Sequence, residues 1–361
     1  MKVSKRVVVL TSLLVLCVLI HIFSQYTDLV ESLYSTGFYK SYSAVLRTIT
    51  GKLPFSIGDI FYGVFFAWLI WKIVYRLRRF RWKSGAIRKY PMVNFFYKSL
   101  VMVSCLYIFF NISWGINYNR EGISSQLELK IDKYSVDELQ ELNCLLAEKV
   151  VTSKQILENK QQPYPQSRQL FEGVTEAYNI AGKKYPFIVY RPPAMKPSLW
   201  DWAGNYMGFT GYYNPFTGEA QISTSVPKFL QPFIACHEAA HQAGYAKEQE
   251  ANFVGYLAGS MSKDTLFQYS IYLDLFIYAN RNLYKTDSAT AKLYVKDLGP
   301  LVLKDLQEWR EFNRRHKSFF EPAFRLLYGL FLKGNQQPQG LLSYDEVTGF
   351  MIAYYKKFGR I

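Results

Sequence analysis

Two of the chain's four histidines stand four residues apart in "PFIACHEAAHQAGYAKEQEANFVGYLAG" (residues 232–259), with a glutamate directly after the first. On an α-helix positions i and i+4 share a face, so the imidazoles of His237 and His241 can bind one Zn²⁺. Glu238 sits one residue along, close enough to reach a metal-bound water as a general base. The chemistry such a pattern supports is hydrolysis: the metal lowers the water's pKa towards ~7, and the carboxylate takes the proton as a carbonyl is attacked. A straight helix would carry Glu248 two turns, or ~10 Å, beyond His241, too far to share a metal bound at ~2 Å. Gly244 offers a break, after which a second helix can start near Lys247 and bring Glu248 back from its first turn. Glu250 competes for that place, pointing roughly 200° away from Glu248 on a helix. Only one of the two can easily face the metal.

The elements that must hold this motif divide into two kinds. Half of the 361 residues are apolar, and they are densest in three N-terminal blocks at about 7–23, 57–75 and 100–118. Each is near the ~20 residues that cross a bilayer. The first follows MKVSKR and lacks a small-residue cleavage pattern, so it reads as a retained span. Asp59 reads as an N-terminal helix residue at the interface. The net charge of +15 suggests nucleic acid until its distribution is seen. Residues 76–98 hold eight Lys or Arg and no acid between two apolar blocks, the signature of a cytoplasmic loop facing anionic lipid. No nucleic-acid partner is expected. The positive-inside rule then places the N-terminus and residues 76–98 in the cytoplasm, and everything after residue 118 outside. The expected location is the cytoplasmic (inner) membrane, crossed several times, with the lipid bilayer as one partner.

The second kind is a domain over residues 119–361, beyond a membrane region over 1–118. "YSVDELQELNCLLAEKVV" opens with Ser135 and Glu138 in capping-box register and continues at helical spacing. "YPFIVYRPPAMKPS" carries a short β-like run ended by prolines, and "MGFTGYYNPFTGEAQIST" reads as a hairpin. The later segments beginning at 263, 301, 323 and 343 repeat apolar residues at three and four, so helices dominate. The fold class is therefore mostly α (α+β), with a small sheet. The four cysteines show no metal or disulfide spacing, and a Cys144–Cys236 pair is left open. His316, in "RRHK", reads as a solvated helix face.

HExxH followed by Glu248-Gln249-Glu250-Ala251-Asn252 resembles the glutamate-zincin metallopeptidases, although the interval from His241 to Glu248 is shorter than in most members. The resemblance implies zinc ligands His237, His241 and Glu248, with Glu238 as base and Asn252 holding a ligand histidine. It also implies a substrate-binding strand before the metal helix, placed on Thr217, Gly218, Glu219, Ala220, Gln221 and Ile222. Over nearly its full length the chain resembles a narrower group. "LPFSIGDIFYG", "WGINYNREG", "GYYNPFTGEAQIS", "HEAAHQAGYAKEQEANF" and "NQQPQGLLSYDEV" are similar to a bacterial three-span membrane family catalogued as a domain of unknown function, number 3810. The function these readings imply is a membrane-anchored zinc metallopeptidase that acts on a peptide or protein on the extracytoplasmic side. The alternative, from another class, is a non-catalytic zinc-binding envelope sensor or scaffold.

Overall fold

The computed structural model describes residues 4–81, 91–161 and 163–361; residues 82–90 of the basic segment lie outside them. Helices α1 (Lys5–Phe23), α3 (Ile57–Arg81) and α4 (Pro91–Ser113) are long and apolar enough to cross a membrane. The protein buries only 6% of the apolar stretch of α1 and 11% of each of the others, so their side chains need an apolar surrounding from elsewhere. The third span runs Val93–Ser113, earlier than the sequence reading of about 100–118. Its helix ends because Trp114 leaves helical geometry, at φ −160°, and Gly115–Asn119 turns as a 3₁₀ helix. Trp114, Ile116 and Tyr118 are then buried in the domain, together with Ile20 of α1 and Tyr39.

The segment between the first two spans is not a free loop. It forms a π-helical stretch, Val30–Phe38, and then α2 (Tyr39–Thr50). Glu31 pairs with Arg120 at 2.6 Å, and Arg120 also donates to the Gly244 carbonyl at 3.1 Å. Arg47 is fully buried and donates to the carbonyls of Pro192 at 2.8 Å and Gln242 at 3.0 Å. Glu219 accepts the Gly58 amide at 2.7 Å at the start of α3. Asp59, one residue on, accepts from Leu199 N at 2.6 Å and from the Tyr212 hydroxyl. It ties the span's first turn to the domain. A boundary at 118/119 therefore separates residues that pack together, and the domain includes the segment preceding α3.

The rest of the domain is largely helical, as its periodicity predicts. In α5 (Val136–Lys160) the capping box is present, Glu138 N donating to Ser135 Oγ at 3.1 Å and Ser135 N to Glu138 Oε2 at 2.8 Å. Next comes α6 (Ser167–Ala181). The expected β-run over 185–190 instead contains a 3₁₀ turn, Pro186–Ile188, and the strand β1 (Met195–Pro197) starts only after the prolines, which lack the amide a ladder needs. After α7 (Asp201–Met207), the hairpin β2 (Gly211–Asn214) and β3 (Glu219–Ile222) forms as read, and the order is β1-β3-β2. Helices α8 (Gln231–Gln242) and α9 (Glu248–Gly259) occupy the centre of the main core. Around them stand α10 (Thr265–Thr286), N-capped by Asp264, then α11 (Ser288–Asp297), α12 (Gly299–Arg315), α13 (Glu321–Gly334) and α14 (Val347–Phe358). All four cysteines are free. Cys236 is buried and Cys144 exposed, so the two do not pair.

Candidate metal centre

Every residue of α8 is buried, polar ones included. Small residues make this possible. Ala235, Ala239 and Ala240 have no exposed surface, and Gly255 of α9 lies so close that a Cβ there would meet His237 N at 3.3 Å. The break between the two helices falls at the residue the sequence marks for it. Gly244 has φ +96°, which an L side chain rarely adopts, and a Cβ there would stand 3.2 Å from both Arg120 and the Tyr39 ring. The turn delivers Glu248 at the first position of α9, where its amide donates to Gln337 Oε1 at 2.9 Å.

The result is a cluster of His237, His241 and Glu248, with one potential ligand atom from each within 4.8 Å of the others. His237 Nδ1 lies 2.7 Å from Asn252 Oδ1, and His241 Nδ1 lies 2.7 Å from the Tyr245 carbonyl. An acceptor beside each Nδ1 favours a proton there, which makes Nε2 the nitrogen that would offer its lone pair to a metal. Both Nε2 atoms face Glu248 Oε2, at 3.2 and 3.6 Å, and that oxygen is buried without a hydrogen bond. A tetrahedral ion with bonds of ~2.0–2.1 Å sets its ligand atoms roughly 3.3 Å apart, close to both of these separations. Glu250 is not in the cluster. Its carboxylate turns to the opposite side, against Gly122 and 3.8 Å from Lys247 Nζ.

The electrostatics of the metal-free chain follow from burial and proximity. Burial alone would raise the Glu248 carboxyl, but the two imidazoles outweigh it and hold the group well below the carboxylate range. Burial would lower His241, and the Glu248 carboxylate overcomes this, holding it up at about 9. Glu238 is pushed up to about 7, chiefly by burial, although both histidines pull it down. Its Oε2 has no partner, and its Oε1 lies where a Cβ on Gly211 would come within 2.7 Å. That is a carboxyl group poised to exchange a proton near neutral pH.

Two tyrosines over the cluster were not legible from the sequence. Tyr328 of α13 donates to Glu248 Oε1 at 2.6 Å, and the Tyr344 ring stacks on His237 at 6.1 Å. The sequence contains 29 tyrosines, and nothing local distinguishes these two, which lie 80 and 107 residues from their partners. Of the tyrosines nearer the motif, Tyr212 is engaged with Asp59, and Tyr213 with Tyr39 at 3.0 Å. His316 stands apart, on Tyr206 and Phe312.

The strand assignment needs correction. Thr217 and Gly218 lie in the hairpin turn, and Glu219, Ala220, Gln221 and Ile222 form the central strand, paired with β1 on one side and β2 on the other. With both edges used and all four residues buried, β3 has no free backbone for an extended ligand. The free edge beside Glu238 belongs to β2. Ser223 N donates to Thr210 O at 2.9 Å and Gly218 N to Asn214 O at 2.8 Å. By antiparallel alternation, the amides and carbonyls of Gly211 and Tyr213 point away from β3.

A family model described as "Protein of unknown function (DUF3810)" matches residues 34–352, most of the chain. No curated protein and no solved structure matches it.

Proposed function

The chain belongs to the DUF3810 family, and we propose that it is a membrane-anchored zinc metallopeptidase whose site is His237, His241, Glu248 and Glu238. The observation that carries the reading is the placement of a single unpartnered carboxylate oxygen, Glu248 Oε2, against two imidazole nitrogens whose other nitrogens are already engaged. A two-His, one-Glu set suits zinc with one position left open. When bound there, zinc supplies Lewis acidity to a carbonyl and to a water.

The chain's own residues do the rest. Glu238 takes the proton from the attacking water on its unpartnered Oε2 and returns it to the leaving amine, which suits a group near neutrality. Asn252 and the Tyr245 carbonyl hold the histidine rings in orientation. Gly211 and Tyr213 offer backbone groups on which an extended peptide can pair beside Glu238. Tyr344 and Tyr328 carry phenols pushed well above their ordinary range, by burial first and then by the nearby Glu248 charge. Both remain protonated; Tyr328 gives its one proton to Glu248 Oε1 and holds that carboxylate in place, which leaves the Tyr344 hydroxyl as the donor to a developing oxyanion. In this reading the domain lies outside the cytoplasmic membrane and the N-terminus inside, the orientation that the distribution of Lys and Arg favours.

The experiment uses the full chain, because the segment preceding α3 is part of the domain. Purified protein is expected to hold about one zinc, and Glu238→Gln to keep it. Envelope proteins cleaved in cells carrying the wild type should be left intact in cells carrying Glu238→Gln. Absence of zinc sinks the reading; a bound zinc with unchanged cleavage patterns moves the assignment to a sensor or scaffold. A reporter fused after Ile361 should be active outside the cytoplasm, and activity inside would reverse the orientation.

A further inference from the structure

Helix α13 has an unusual distribution of side chains. Leu332 is its one buried residue, whereas Leu326, Leu327 and Leu330 are 65%, 63% and 56% exposed. At 100° per residue these three fall within a single arc of about 100°, with Arg325 and Lys333 on one flank. Phe319 and Phe320, just before the helix, are exposed as well. An apolar arc flanked by long cationic side chains is the pattern of a helix lying in a membrane surface, with the charged heads reaching back to the lipid headgroups.

Its position supports this. The Phe331 ring lies 5.9 Å from Phe110, three residues before the end of the third span, and 6.3 Å from Tyr118. A second apolar surface continues the belt around the second span. Leu199, Trp202 and Tyr206 in and before α7 are exposed. Trp200 donates from Nε1 to the Asp59 carbonyl at 2.9 Å and packs where a Cβ on Gly63 would stand. Ser318 Oγ donates to the Tyr206 carbonyl at 2.6 Å, joining the two surfaces. Both therefore sit at the level where α3 begins and α4 ends, the depth at which aromatic side chains gather on membrane proteins.

We propose that α13 and α7 lie in the plane of the bilayer, their apolar faces sunk in the lipid of the leaflet where the third span ends. The occupant is lipid because α13 packs through Phe331 on Phe110 of α4, a helix apolar enough to cross a membrane whose neighbouring Phe109 and Ile112 are exposed. The opposite side of α13 carries Tyr328 to Glu248, so the metal centre lies about one helix diameter, ~10 Å, from the lipid. On the peptidase reading, which this placement does not need, the substrate is a polypeptide segment held at the membrane surface. The placement stands or falls without any activity measurement.

The test is spin-label accessibility in the full chain, reconstituted in liposomes with the native cysteines replaced. Single labels at Leu326→Cys, Leu327→Cys and Leu330→Cys are compared with Leu293→Cys, an exposed position on α11. The three labels on α13 should meet lipid-soluble oxygen readily and a water-soluble nickel complex poorly, the reverse of position 293. Nickel access equal to that at 293 overturns the proposal. So does protection from both reagents with spin–spin broadening at 326, which would place a second copy of the chain on this face. Using three separate surface positions keeps the result readable if one variant folds poorly.

Discussion

The membrane helices and the helix pair α8–α9 are both rich in apolar residues, yet they treat burial in opposite ways. In α1 the apolar side chains face outward and the protein covers almost none of them. In α8 every side chain is buried, including two histidines and a glutamate. In α1 the surrounding lipid does the burying, so sequence hydropathy is nearly the whole specification. In α8 the protein must provide each polar atom with a partner, because an unpaired polar group in a dry interior costs roughly 1–3 kcal/mol. Five side-chain oxygens of the pair are nevertheless left without partners. Glu248 Oε2 and Glu238 Oε2 are two of them.

The sharpest break in the comparison comes from removing the same side chain in each region. Leu257→Ala in α9, where the leucine is 2% exposed, should cost about 2–5 kcal/mol of domain stability by chemical unfolding in detergent. Zinc should next expose the polar side of the comparison through its competition with protons. His241 is held at about 9 in the metal-free chain, so it must lose a proton to bind. Apparent zinc affinity should then rise about tenfold per pH unit from 7 towards 9 and level off above, measured with a competing chelator. A flat profile would show that the imidazole is not a ligand.

Asn252→Ala removes the support behind His237, together with a longer bond to the Tyr344 carbonyl, and should weaken zinc binding by about 10–100-fold while Glu248 stays in place. Gly244→Ala forces a Cβ into the left-handed turn and should cost roughly 1–2 kcal/mol. Its effect should appear in stability and in zinc retention together, because the turn sets where Glu248 lies. At the small end is Leu19→Ala in α1, 57% exposed, which should change domain unfolding by less than about 0.5 kcal/mol. A large loss there would mean that protein, not lipid, covers the first span.

Much of the local structure was legible because its causes are local. The Ser135–Glu138 box and the hairpin around Asn214 each depend on residues within a few positions of one another. The break at Gly244 was legible for the same reason, since only a positive φ there returns Glu248 towards the histidines. The third span was read too late in the chain because hydropathy does not distinguish a residue bound for lipid from one bound for a protein core. Trp114, Ile116 and Tyr118 are apolar and belong to the second. The proline-rich segment misled in a related way: β-forming residues precede the prolines, but β1 pairs with β3 only beyond them.

By itself the sequence determined three apolar stretches, a mostly helical domain and the spacing of the two histidines and their glutamates, because each follows from short-range periodicity or backbone geometry. Tertiary structure placed Glu248 rather than Glu250 beside the histidines, made β3 a central strand with β2 at the edge, brought Tyr328 and Tyr344 over the cluster, and folded residues 24–56 into the domain. Those outcomes depend on which distant surfaces meet, and a meeting between residues 80 or 200 positions apart leaves no trace in the spacing of either partner. The His237–His241–Glu248 cluster draws on both: the helix turn supplies the pitch of its histidines, and the packing of α9 against α8 supplies the carboxylate.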